Sequence, residues 1–272
     1  MTGAVDAPVQ GGGGLDALVF AAGLGRRLRP LTLETPKALV DVGGVTMLER
    51  TVRRLAAAGA ERIVVNAHAH LARVADEVDR LAALMRSAPT TRPGAEPAEL
   101  MLSPEPARPL ETGGGLRLAA PLLHGDRPIL LHNVDVLTGF DLRALVAAHR
   151  ADDGRLATLA VHERRASRLL AFDPLGLCAR VHADGGREDT ARAPRGPVRR
   201  LAFTGVHVVS PRILGLLSGE KEVFSIVDAY LHLAAAGERI APFDAGTAAW
   251  WEIGTPERLA AARRAHPRPA SG

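Results

Sequence analysis

The residues best suited to chemistry crowd into one short segment, Ala21-Ala22-Gly23-Leu24-Gly25-Arg26-Arg27-Leu28-Arg29-Pro30, where two glycines and three arginines follow an apolar run. Backbone N–H groups left free by the glycines, flanked by guanidinium forks, make a cradle for an anion and suit a polyphosphate. A second signal lies just downstream in Pro36-Lys37-Ala38-Leu39-Val40. Lys37 and Lys221 are the only lysines in a chain whose other permanent cations are arginines, so an ammonium here stands out. Beside clustered arginines it is repelled unless an anion lies between, which makes bound phosphate the natural reading. The plain alternative is a strand-to-helix turn with solvated arginines and a lysine placed by chance.

The nearest rival for the glycine turn is the dinucleotide fingerprint G-x-G-x-x-G. Leu28 takes the place of its third glycine, and Asn66 stands where an acidic residue would end the second strand. His68 and His70 have an H-x-H spacing, but with no Cys or acidic third ligand nearby they read as loop histidines. Cys178 stands alone, so it cannot form an internal disulfide, and it lacks a catalytic neighbour. Trp250 and Trp251 read as packing anchors for the last helix rather than as stacking platforms for nucleic acid.

These groups need a scaffold, and the hydrophobic pattern supplies one. Residues 15–22 (LDALVFAA), 62–66 (RIVVN) and 128–132 (PILLH) are short apolar runs of the kind buried on both faces of a parallel sheet. Between and after them, residues 46–58, 71–86, 115–123 and 142–149 carry helical spacing, with Gly59 as a stop. Strands alternating with helices predict an α/β fold, a Rossmann-like, mostly parallel sheet flanked by helices. Residues 87–97 read as a Pro-rich surface loop. From Leu156 the texture changes to strands at 156–162, 169–172 and 201–209, which predicts a smaller mixed or antiparallel portion; residues 185–197 read as a mobile excursion. Helices close the chain at 224–235 and 256–265. The expected organisation is a flexible leader over 1–14, one domain over 15–265 with halves meeting at residue 150, and a polar tail over 266–272.

Composition narrows the classes. The 272 residues are 47% hydrophobic and 24% charged, which provides a core and excludes a disordered chain. With 34 Lys+Arg against 30 Asp+Glu the net charge is only +4, which argues against nucleic acid as partner. No apolar run reaches the roughly 18–20 residues of a membrane span, and the N-terminus lacks a secretory pattern, so a cytoplasmic protein is expected.

The stretch LVFAAGLGRRLRPLTLETPKALVDVGG, residues 18–44, resembles the start of the sugar-1-phosphate nucleotidyltransferases, with G-x-G-x-R-[LM]-x-P-L-T followed by P-K. The likeness continues through Leu110-Glu111-Thr112-Gly113-Gly114-Gly115, Asn133-Val134-Asp135, Phe203-Thr204-Gly205-Val206-His207 and Trp251-Glu252-Ile253-Gly254-Thr255-Pro256. Its ETGGG form is most similar to the branch holding N-acetylmuramate-1-phosphate uridylyltransferases and proteins labelled mannose-1-phosphate guanylyltransferase. Two positions depart, with Val134 where the family usually has Gly and Glu252 where it typically has Asp.

The resemblance implies that a sugar 1-phosphate oxygen attacks the α-phosphorus of an NTP, releasing pyrophosphate and forming an NDP-sugar. Arg27, Lys37 and Asp135 become the catalytic candidates. Ala22, Gly23, Leu24, Gly25, Arg26, Arg27, Glu111, Gly114 and Asn133 become the nucleotide-binding ones, and Glu163, Thr204 and Gly205 the sugar-binding ones. Asp135 and Glu252 would hold Mg²⁺, which prefers oxygen ligands and keeps several waters. NTP and sugar 1-phosphate are the implied partners, and a homo-oligomer is left open. Two other classes stay open at this point: a non-catalytic nucleotide or sugar-nucleotide sensor on the same scaffold, and a dinucleotide-dependent oxidoreductase.

Overall fold

The structure, a computed structural model, describes residues 13–87, 96–105, 107–183 and 187–268. The expected leader, up to residue 12, and most of the expected Pro-rich loop lie outside the described residues. At the first described positions, the carbonyls of Gly13 and Gly14 accept hydrogen bonds from Arg150 at 2.6 and 2.9 Å.

The first apolar run becomes β1 (Asp16–Phe20), buried at every position. Ala17 and Val19 face one core, Leu18 and Phe20 the other. Successive side chains of a strand point to opposite faces, so a strand covered on both sides must be apolar throughout. Each fully buried Val, Leu or Phe contributes about 1.5–3 kcal/mol. After β1 come a 3₁₀ turn at Arg26–Leu28, α1 (Leu31–Glu34), a second turn at Lys37–Leu39, and the hairpin β2 (Asp41–Val42) and β3 (Val45–Thr46). The Thr46 hydroxyl then accepts from the Glu49 amide and starts α2 (Met47–Ala57). The first half continues with β4 (Arg62–Ala67), α3 (Leu71–Ser87), β5 (Glu99–Pro104), α4 (Glu111–Ala119), β6 (Ile129–Asn133), β7 (Val136–Thr138) and α5 (Leu142–Arg150). The second half comprises β8 (Arg155–His162), β9 (Arg168–Asp173), β10 (Gly176–His182), β11 (Glu188–Thr190), β12 (Arg199–Val209), α6 (Ile213–Leu216), α7 (Ile226–Ala235), β13 (Arg239–Asp244), β14 (Trp250–Glu252) and α8 (Pro256–Ala265).

One mixed sheet runs through both halves, in the order β11-β10-β9-β12-β6-β1-β4-β5. β6, β1, β4 and β5 are parallel neighbours. β12 joins β6 antiparallel and also pairs β8 and β9, while β13 adds to β8 in parallel. α2, α3, α5 and α8 supply one core, and α4, α6 and α7 the other. This is the expected α/β architecture.

Local expectations changed in three places. The helix expected over 115–123 begins at Glu111, so the glycine run lies inside α4 rather than in a loop before it. The expected mobile excursion contains β11, paired with β10, and Arg192 bonds both carboxylate oxygens of buried Asp173 at 2.7 and 2.6 Å. At the start of the expected polar tail, His266 packs edge-on against Trp251, ring centroids 4.7 Å apart.

Candidate active site

The chain leaving β1 and β6, together with Asn66 near the end of β4, opens a cavity of roughly 280 Å³. Its floor is Phe20, Ala21, Ala22, Gly23 and Gly25 after β1, and Asn133, Val134 and Asp135 after β6; Lys37, Asn66, Pro109, Glu111 and Thr112 close the sides. Parallel strands put their carboxyl ends at one edge, where open α/β sheets place ligands.

Lys37 reaches across this cavity from its 3₁₀ turn to pair with the Asp135 carboxylate. Both side chains are largely shielded, 12% and 21% exposed, so the pair is less screened than a surface one. The anion beside Lys37 in the folded chain is thus a carboxylate of the protein. Val134 keeps the β1 register through its N–H, 3.2 Å from the Phe20 carbonyl, and its side chain enters the core. The backbone path therefore needs no glycine there.

Asp135 is tied to the second acid. Its carbonyl accepts from the Ile253 amide at 3.0 Å, and Glu252 sits opposite Val136 in the β7–β14 ladder. Arg27 donates to Glu252 Oε1 at 3.1 Å, and Arg258 grips the other oxygen. The Glu252 and Arg27 head groups fold over Gly254, where a Cβ would meet both. Among the described residues, no three His, Cys, Asp or Glu side chains converge as a protein-only metal cage. Mg²⁺ does not need one, because it is commonly held by one or two carboxylates plus substrate phosphates. Asp135 and Glu252, on adjoining backbone, fit that donor set.

The other expected residues divide. Ala22, Gly23, Gly25, Asn133 and Glu111 line the cavity. Glu111 has φ of 60°, uncommon outside glycine and a form of local strain found at functional sites. Arg26 is exposed and Leu24 half-buried, and neither lines the cavity. Gly114 lies within α4, where a Cβ would fall 2.5 Å from the Glu222 carbonyl; with Gly113 it donates its N–H to the Phe224 carbonyl. Those glycines serve close packing, and their amides are already used. Gly205 is not among the lining residues but touches one of them, because β12 bulges between Phe203 and His207 and Gly205 (φ 86°) turns there against Asn133. A side chain at Gly205 would strain the backbone and strike that amide. The Thr204 hydroxyl is buried and donates to the Ala160 carbonyl at 2.9 Å, so it turns away. Glu163 points to solvent and pairs with Arg199 at 2.9 Å.

Sequence reasoning missed several neighbours. Asn66 lines the cavity and donates to buried Glu105 at 2.8 Å, whose other oxygen accepts from the Leu110 amide. The apolar run ending in Asn66 was the available signal. Arg258 had none, since only the helix turn of α8 brings it to Glu252. Below the floor, His132 donates to the Asn133 carbonyl at 2.8 Å, and burial pulls its pKa down to about 4. His68 donates to the Glu105 carbonyl at 2.7 Å and Cys178 is buried, as loop and inert roles require.

A family model described as nucleotidyl transferase matches residues 16–267. The N-acetylmuramate alpha-1-phosphate uridylyltransferase of Caulobacter vibrioides is 32% identical over 253 residues, 91% of this chain and 96% of that protein. The mannose-1-phosphate guanylyltransferase catalytic subunit beta of Drosophila pseudoobscura is 27% identical over 258 residues, 90% of this chain and 61% of that one. In fold, a UDP-glucose pyrophosphorylase from Acinetobacter baumanii superposes with a TM-score of 0.71 at 18% identity, covering 92% of each chain. Among the described residues no helix is long and apolar enough to cross a membrane. With its sheet, its crevice and a family match over nearly its whole length, this chain belongs to the nucleotidyl transferase family, among the sugar-1-phosphate nucleotidyltransferases.

Proposed function

We propose that the crevice joins an NTP to a sugar 1-phosphate with Mg²⁺ bound, and that the preferred pair is UTP and N-acetylmuramate 1-phosphate. The observation that carries this reading is the Lys37–Asp135 pair spanning the cavity, with Arg27–Glu252 beside it. A triphosphate entering here offers both cations a stronger anion and frees both carboxylates. Backbone around Ala22–Gly25 and Arg27 then hold the β- and γ-phosphates, and Lys37 covers the α-phosphate and the incoming sugar phosphate. Asp135 and Glu252 would hold the ion, which supplies charge neutralisation and phosphate orientation when bound. The sugar phosphate has a second pKa of about 6 and is mostly ionised near neutral pH, so the protein need not supply a general base. The choice of base and sugar is supported by the likeness to the uridylyltransferase along almost its full length.

The test is pyrophosphate release with Mg²⁺, crossing four NTPs with the 1-phosphates of N-acetylmuramate, glucosamine, mannose and glucose. Turnover highest with UTP and N-acetylmuramate 1-phosphate is the expected outcome. GTP with mannose 1-phosphate as the best pair would overturn the substrate assignment, and nucleotide binding without turnover on any pair would overturn the reaction.

A further inference from the structure

Arg164 takes no part in the proposed transfer, yet it lies beside Glu252. Arg164, just after β8, lays its guanidinium carbon 3.8 Å from the centroid of the Trp250 ring. Its Nε is buried without a hydrogen-bond partner among the described residues. Among the described residues its terminal nitrogens reach only the carbonyls of Arg165 at 3.4 Å and Phe203 at 3.5 Å, too long for strong bonds. Glu252, whose charge it feels, is already held by Arg27 and Arg258. Burial, then repulsion from Arg258, pull its pKa below the usual arginine range, as for a guanidinium short of negative charge.

The position says which anion would relieve it. Trp250 precedes Glu252 by two residues on β14, so both side chains rise on one face about 7 Å apart along the strand. Trp250 Nε1 donates to the Thr204 carbonyl at 3.1 Å, and adjoining Gly205 meets Asn133. Arg164 therefore stands on the second-half side of Glu252, joined through Trp250, Thr204 and Gly205 to Asn133 of the cavity lining. The reacting phosphate of the sugar must lie at Lys37, on the near side. Stacking on Trp250 leaves the planar fork's edge free for a bidentate partner, and on the far side of Glu252 from Asp135 the substrate part available to supply one is the sugar away from its phosphate.

We propose that Arg164 recognises a carboxylate carried by the sugar, away from its phosphate, so that an acidic sugar 1-phosphate is the selected second substrate. This rests on the nucleotidyl-transfer reading. The test compares N-acetylmuramate 1-phosphate with N-acetylglucosamine 1-phosphate, which lacks the lactyl ether and with it the carboxylate, in wild type, Arg164→Ala and Arg164→Lys, and measures NTP affinity by calorimetry. Wild type should favour the acidic sugar at least about tenfold in kcat/KM, the scale of a hydrogen bond to a charged group. Arg164→Ala should bring that preference below about threefold with NTP affinity unchanged within twofold. Arg164→Lys, which keeps the charge and loses the fork, should fall between, and it alone is read if the alanine variant does not fold. Equal losses with both sugars, or a wild type indifferent to the carboxylate or active only on uncharged sugars, would overturn the assignment while leaving nucleotidyl transfer standing. A wild type inactive on every NTP and sugar pair would instead overturn the reaction itself.

Discussion

Lys37 and Asp135 are 98 residues apart in the chain and share one cavity, so each variant of the pair tests the site directly. Asp135→Asn keeps the shape and removes the charge. Its turnover should drop more than tenfold, a barrier increase above ~1.4 kcal/mol, with unchanged circular dichroism. A purified variant retaining more than a tenth of the wild-type rate would take Asp135 out of the reaction. Lys37→Arg keeps the charge but replaces a compact ammonium with a planar fork in a crowded place. Turnover should fall there too, and full activity would reduce Lys37 to a structural partner of Asp135.

At the scale of elements, α4 shows how one motif can serve packing more than binding. Its glycines let the helix approach the 222–224 segment so closely that a Cβ at Gly114 would meet a backbone carbonyl. Gly114→Ala should therefore lower the urea midpoint by the equivalent of about 1–3 kcal/mol, the usual cost of overpacking. Unchanged stability with a raised KM for NTP would restore Gly114 to the nucleotide site. The β7–β14 ladder makes the complementary point. Three residues on each strand suffice to carry Glu252 to Asp135, yet neither strand was expected, because segments that short show no readable alternation. β1, β4 and β6 were legible because burial on both faces demands uninterrupted apolar residues.

For the whole molecule, three buried histidines set the response to acid. Burial, joined by nearby arginines at His149, lowers the pKa of His132 and His149 to about 4 and of His207 to about 3. In the unfolded chain the value is near 6.5. Between those limits the unfolded state binds more protons, so stability is fully present above about pH 6.5 and is lost as pH falls toward 4. Melting temperature measured from pH 7.5 to 4.5 should decline over that window. His207→Phe should flatten the decline, since both ring nitrogens of His207 are buried without partners among the described residues. An identical slope in the variant would exclude His207 from the effect.

The sequence by itself determined the α/β pattern, the glycine–arginine turn with Lys37, and Asp135 at a strand end, because burial periodicity and local turn chemistry are written in neighbouring residues. Only the tertiary structure decided which charges meet. Glu252 comes beside Asp135 and Arg27 through a three-residue ladder and Gly205 against Asn133 through a bulge, whereas adjacent Glu163 and Arg164 part, one to solvent and one onto Trp250. Such outcomes depend on register and side-chain direction between segments far apart in the chain, which local periodicity does not encode.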